Sequence, residues 1–425
     1  MGTIHIRERD HRIYLEAQRH IIGTKDGRTT RTGWDWNETE FSPFSAVASL
    51  LPSVANHRVE VADGEAQFTL GIFTVFGGYI ELMSFSEVAS SLKKKNRAMS
   101  LLLGNGFSMS YDVKIFSYNA LYTFLSSQED ELLNKLFGVI KSKNFELLMQ
   151  QLDMTIALLE AFGSDANLQE QIRSASQRLK SALLKSVKEL HPEHVYKMPE
   201  EKSTACANFL RPFLESGGSI YTTNYDLLLY WVLMRQGVPN PVDGFGRELE
   251  NPVEAAEGEE REWSELIWGP NKSNQNIHYL HGALHLFDSG ADVVKEQYDW
   301  SGYLLENVSA RLDEGSYPIF VTAGNGEEKL EHIRHNRYLS HCYDRFCEVD
   351  GSLVTFGFNF GQYDEHIIEA INKAAKFSSK QPPKLWSIYI GVYSDADMEH
   401  IKSIEKQFHP KVRLFDAKTA NVWGA

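Results

Sequence analysis

The sequence predicts an α/β protein built on a doubly wound parallel sheet, with a large helical insertion and a small N-terminal extension. Three observations predict it. Short apolar runs end in glycine or a polar residue and lead into helical periodicity, first at Met99–Leu103 and regularly after residue 276. Several segments between about 119 and 216 show helical spacing with no strand between them. The first 82 residues alternate apolar and polar positions between turn-rich stretches.

Composition narrows the class of function. A chain of 425 residues allows one large domain or two to three smaller ones. A net charge of −14 and a pI of about 5.6 argue against non-specific nucleic-acid binding as the main task. The three cysteines, Cys206, Cys342 and Cys347, form no CxxC pair, so neither a disulfide framework nor a four-cysteine zinc site is expected. The N-terminus MGTIHIRERDHR is polar and charged, without the apolar core of a signal peptide. No apolar run is long enough to span a bilayer, and a soluble cytoplasmic protein is expected.

In the extension (1–82), Ala62-Asp63-Gly64 sits between two alternating runs and predicts a hairpin. Met83 is a candidate alternative start, and Ser84 with Glu87 fits a capping box opening a helix. The first sheet strand is expected at Met99–Leu103, ending in Gly104-Asn105-Gly106 with a helix from Phe107. A strand, a Gly-x-Gly turn and a helix present backbone N–H groups to a phosphate, and Ser108 would cap the helix or touch that phosphate. The plain alternative is a tight strand–helix turn. After the helical insertion (about 119–216), Ser219–Thr222 reads as the second strand, followed by Thr223-Asn224-Tyr225-Asp226 and a helix. Residues 237–275 read as an acidic surface loop. Strands are then expected at IHYL, followed by His281-Gly282, and at PIFVTAG, SLVTFGF, LWSIYIGVY and VRLFD, with helices between them.

In such sheets ligands bind beyond the carboxyl ends of the strands. Four strand ends carry an unusual set: Gly104-Asn105-Gly106-Phe107-Ser108, Thr222-Thr223-Asn224-Tyr225-Asp226, His281-Gly282 and Gly357-Phe358-Asn359-Phe360-Gly361. Each alone has a dull explanation. Asn224 and Asp226 suit helix caps, His281 suits a buried structural histidine, and Gly357 suits a plain turn. His332, His335 and His341 cluster near a helix, but no acidic or cysteine ligand completes a metal spacing. Tyr225, Tyr230 and Trp231 read as core rather than stacking platforms.

The order of these motifs resembles the sirtuin superfamily. It is most similar to the bacterial sirtuin-like branch with FxY after the first turn (Phe116-Ser117-Tyr118) and DEHI after the last loop (Asp364–Ile367). The resemblance covers residues 84 to about 420. It implies a Rossmann-like NAD-binding domain from residue 83 onward, and an NAD hydrolase that releases nicotinamide and ADP-ribose in antiphage defence. It implies that N–H groups around Gly104, Asn105, Gly106 and Ser108 hold the pyrophosphate. Asn224 would bind the nicotinamide ribose or the attacking water, and His281 would act as general base, with His278 and His285 as rivals. Asp226 would orient that loop, Thr223 would join the cofactor-binding residues, Phe116 would shield the nicotinamide, and Gly357, Asn359 and Asp364 would lie near the adenosine ribose. Homo-oligomers, and a HerA-type ATPase partner, are further implications. The chain departs from deacylating sirtuins, which carry a four-cysteine zinc module, so no zinc and no deacylation are expected. It also carries Asn105 where the first turn usually has alanine and Asn359 where the late loop usually has serine. The competing reading is a non-catalytic NAD or ADP-ribose-binding module of a larger assembly.

Overall fold

The computed structural model describes residues 82–117, 123, 130–140, 145–163, 166–192, 194–235, 237–248, 264–297, 302–314, 316–321, 325–376 and 384–424, together with six strands in the first 81 residues. By contacts, the chain divides into two units, Met1–Glu81 and Leu82–Ala425.

In the first unit, Gly2–Arg9 pairs antiparallel with Arg12–Arg19 and touches Glu65–Gln67. Glu65–Gln67 pairs antiparallel with Glu60–Ala62, while Asp63 and Gly64 of the expected turn lie outside the described residues. Thr24–Lys25 and Arg28–Thr29 form a separate two-stranded ladder.

The second unit is an α/β fold on a seven-stranded, all-parallel sheet. In chain order its strands are β1 (Met83–Ser84), β2 (Met99–Leu103), β3 (Ile220–Thr222), β4 (Ile277–Tyr279), β5 (Gly351–Phe356), β6 (Leu385–Val392) and β7 (Lys411–Asp416). Their spatial order is β4-β3-β2-β5-β6-β7-β1. The order reverses between β2 and β5, and such a switch point opens a crevice at the carboxyl edge. β2, β3 and β5 are buried along their whole length, as expected of central parallel strands covered on both faces.

The sheet therefore starts earlier than Met99. Met83–Ser84 forms its far edge against Phe415–Asp416, and Ser84 and Glu87 make the capping box of the helix Phe85–Lys94. In the helical insertion, Glu131–Ile140, Phe145–Ala161 and Ala166–Leu190 share a small core of Leu133, Phe137, Leu148, Met149, Leu152 and Leu179, whereas Glu200–Glu215 buries Cys206, Phe209, Leu210 and Phe213 in the main core.

A second, antiparallel sheet orders its strands as Phe245–Gly246, Ile267–Trp268, Val293–Lys295, Gly282–Asp288 and Pro318–Phe320. Two expectations change here. PIFVTAG is not a strand of the parallel sheet: Pro318–Phe320 pairs antiparallel with Gly282–Asp288. The stretch 237–275 is not simply a loop, since it supplies two strands. Periodicity identifies a short apolar strand but not its sheet, which is set by contacts far along the chain.

Candidate active site

Parallel pairing places four strand ends in one row. Tyr279 pairs with Thr222, Thr222 with Leu103, and Leu103 with Phe356. The four motif-bearing loops leave the sheet from that row. They border a cavity of about 1380 Å³ lined by Asn105, Gly106, Phe116, Thr223, Asn224, Asp226, His281, Gly357, Asn359 and Asp364, and extending over the ends of β6 and β7. Ten of the twelve sequence-chosen site residues line it. Gly104 and Ser108 do not.

The first turn is tied to the β5 loop. Gly104 N–H donates to the Phe356 carbonyl (3.1 Å), Gly106 N–H to the Gly357 carbonyl (2.8 Å) and Phe107 N–H to the Gly104 carbonyl (2.9 Å). A Cβ on Gly104 would lie 2.6 Å from the Gly357 oxygen, and one on Gly106 would lie 2.6 Å from the Gly357 Cα. Gly357 has φ +68°, a conformation glycine adopts without strain. These glycines allow two loops to touch, and the amides of 104, 106 and 107 are already engaged. Of the amides expected to face a pyrophosphate, those of Gly104 and Gly106 are therefore bound within the protein. In the 357–361 loop, Phe358 and Phe360 are buried anchors, while Asn359 between them is exposed to the cavity.

Ser108 is fully buried and is not the cap, which falls on Gly104. Its hydroxyl donates to Asp226 Oδ2 (2.5 Å) and accepts from Asn224 Nδ2 (2.8 Å), while Asp226 Oδ1 accepts from Leu228 N–H (3.0 Å). Burial raises the Asp226 carboxyl above its ordinary pKa, against the hydrogen bonds from Ser108 and Leu228. Ser108 spends its single proton on Asp226, so toward Asn224 it can only accept. That fixes the Asn224 amide with Nδ2 inward and leaves Oδ1 as its acceptor for the cavity.

His281 sits where the two sheets join. Its carbonyl accepts from Val321 N–H (3.0 Å), and a Cβ on the adjacent Gly282 (φ +82°) would lie 1.8 Å from the Ile319 oxygen. The ring is buried, and its Nε2 lies 2.8 Å from Nε2 of His366, which leaves Nδ1 for the cavity. Burial, the His366 ring and the Lys329 cation hold His281 well below the ordinary histidine pKa. Burial and Lys329 push His366 down to about 3. Neither of the other candidate bases lines the cavity. His278 is buried and stacked on Tyr221, and His285 is buried and stacked on Tyr230.

Phe116 is half-buried, edge-on to Tyr111 and His191. Tyr118 lies outside the described residues. Tyr230 and Trp231 are core, whereas Tyr225 lines the cavity with its hydroxyl on the Val321 carbonyl. Sequence reasoning missed Lys329, which is 1% exposed, lines the cavity and faces Asp364 across 3.4 Å. No motif marked it. His366 lay inside the quoted DEHI motif, a signal that was available. Among the described residues no group of three or more His, Cys, Asp or Glu could hold a metal ion. No described helix is long and apolar enough to cross a membrane.

A family model described as a domain of unknown function (DUF4917) matches residues 101–423. The chain belongs to the DUF4917 family. The DUF4917 match opens inside β2 and closes at Trp423, so it contains all four loops and every residue of the cavity except Gly424. No curated protein matches the chain.

Proposed function

We propose that the cavity binds NAD and that the protein hydrolyses the bond between nicotinamide and ribose. The observation that carries this reading is the register row. Asn224 and His281 each stand two residues beyond the paired Thr222 and Tyr279, on neighbouring strand ends. The cavity exceeds the roughly 300–1,000 Å³ usual for small-molecule sites, in keeping with a dinucleotide.

Cleavage of the C1′–N bond passes through an oxocarbenium-like centre, as in other glycosyl transfers. Nicotinamide leaves with the bonding electron pair, water adds to C1′, and one proton is released. Asn224 Oδ1 accepts from the attacking water or a ribose hydroxyl and so orients it. His281 is neutral at neutral pH, and its Nδ1 takes the proton. Asp226 and Ser108 hold Asn224, and Phe116 shields the nicotinamide end. Asn359 faces the adenosine half, across the switch point, while Asp364 pairs with Lys329 beside the His281–His366 rings. Beside the engaged Gly104 and Gly106 amides, Asn105 offers that turn's polar side chain toward the pyrophosphate.

On the stated resemblance, this activity belongs to antiphage defence by NAD depletion, in a homo-oligomer and with a HerA-type ATPase as partner. Unregulated NAD hydrolysis would kill the host, so the activity is expected to be gated. The test is release of nicotinamide from NAD by the purified protein, alone and with candidate activators. Release that is lost in Asn224→Ala supports the proposal. NAD or ADP-ribose binding without release under any condition favours the non-catalytic module.

A further inference from the structure

We propose that His366 is a positioning residue for His281: it accepts the Nε2–H of His281, fixes that ring, and leaves the Nδ1 lone pair as the base. The inference rests on the reading that the cavity cleaves NAD.

The two Nε2 atoms lie 2.8 Å apart, while the ring centres are 5.1 Å apart with planes 26° from parallel. Nitrogens so much closer than the ring centres meet edge to edge, which is an N–H···N hydrogen bond and not face-to-face stacking. One proton is shared in that contact. A neutral imidazole protonated on Nε2 carries its lone pair on Nδ1, so the partner of one nitrogen decides the chemistry of the other. Were the proton on His366 instead, His281 would present an N–H to the cavity and could take no proton there.

His366 is suited to hold its neighbour. It lies in the first turn of the helix Glu365–Ala374, its ring is 1% exposed, and its carbonyl accepts from the Tyr343 hydroxyl (2.8 Å). Its Nδ1 has no hydrogen-bond partner among the described residues. As the acceptor at Nε2, His366 carries its own proton on that unpartnered Nδ1, and His281 is its one polar side-chain contact among the described residues. Lys329, which faces Asp364, is the cation that acts on both rings and disfavours a charge on either.

The test uses the full chain with ¹⁵N-labelled histidine. Long-range proton–nitrogen spectra report the tautomer of each ring, assigned with His281→Gln and His366→Gln. His281 is expected as the Nε2–H form in the wild type and as a mixture of forms in His366→Leu. An Nδ1–H form of His281 in the wild type overturns the proposal. In turnover, His366→Leu is expected to lower kcat by roughly 10- to 100-fold with KM for NAD within a few-fold. His366→Gln, whose amide oxygen can accept the same bond, should recover most of that loss. Equal losses in folded Leu and Gln variants overturn the positioning role. A wild type that releases no nicotinamide sinks the NAD reading alone, because the tautomer measurement needs no turnover.

Discussion

Gly106 and Gly357 meet backbone to backbone at the switch point of the sheet, with the Gly106 N–H donating to the Gly357 carbonyl at 2.8 Å. A Cβ on Gly106 would lie 2.6 Å from the Gly357 Cα, and one on Gly357 would lie 2.4 Å from the Phe107 nitrogen. Neither backbone can move aside without opening the row that holds β2 against β5.

Gly106→Ala should therefore destabilise the folded protein itself, by the roughly 1–3 kcal/mol typical of forced overpacking, and Gly106→Val by more. Denaturant midpoints of the purified variants, read beside NAD affinity, check this. A Gly106→Val protein of wild-type stability that has lost only ligand binding would show that the glycine serves the ligand and not the loop contact.

The contrast between these loops and the rest of the site shows where the sequence was legible. The strand ends could be read because each combines an apolar run with glycine or a short polar cluster, a local pattern. Parallel pairing then brings the loops together almost automatically, since β2, β3, β4 and β5 end on the same register row. What the sequence hid is pairwise. Nothing local says that the Ser108 hydroxyl ends between Asn224 and Asp226, 116 and 118 residues away, or that His281 meets His366 85 residues on. The antiparallel sheet was missed for the same reason: Pro318–Phe320 is the same kind of apolar triplet in either sheet, and only its distant partner Gly282–Asp288 tells them apart.

Five buried histidines make the fold acid-sensitive. Burial pushes His191 to about 4 and His278 and His366 to about 3, and it holds His281 and His285 well below the ordinary value. The unfolded chain takes up protons on these groups below about pH 6.5, and the folded chain does not. The stabilisation is thus complete above about pH 6.5 and is lost as the pH falls, through about 4 for His191 and about 3 for His278 and His366. The slope is at most about 1.4 kcal/mol per pH unit for each histidine. Urea midpoints at pH 7.5 and 5.5 should differ clearly. His285→Leu should narrow that difference, because both nitrogens of this ring lack a partner among the described residues. An unchanged difference would mean His285 does not titrate with unfolding.

Removing residues 1–81 should leave the second unit folded, because β1 and the helix Phe85–Lys94 both lie beyond the cut. A chain beginning at Met99 should fare much worse. It drops Val88 and Leu92, both fully buried, and each such side chain contributes about 1.5–3 kcal/mol. Circular dichroism and cooperative unfolding of the two truncations separate these cases, and a Leu82 chain without a cooperative transition would tie the fold to the first 81 residues.

Ser108 gives the sharpest separation between holding the site and touching the ligand. It lies behind the cavity wall, so Ser108→Ala removes no ligand contact. It strips the acceptor from Asn224 Nδ2 and the donor from Asp226 Oδ2, on residues only 9% and 7% exposed. Leaving a buried polar group unpaired costs about 1–3 kcal/mol, so the variant should be measurably less stable. It also frees the Asn224 amide to rotate, which removes the fixed direction of Oδ1. Turnover of NAD should then fall while NAD affinity stays within a few-fold, because the lost function is orientation in the transition state and not ground-state binding. Ser108→Thr keeps the hydroxyl and should retain more of the turnover, less whatever its extra methyl costs in a fully buried position. Denaturation, NAD affinity and nicotinamide release measured on the same folded fraction test each step. A Ser108→Ala enzyme with weakened NAD binding and unchanged kcat would place the hydroxyl on the ligand after all.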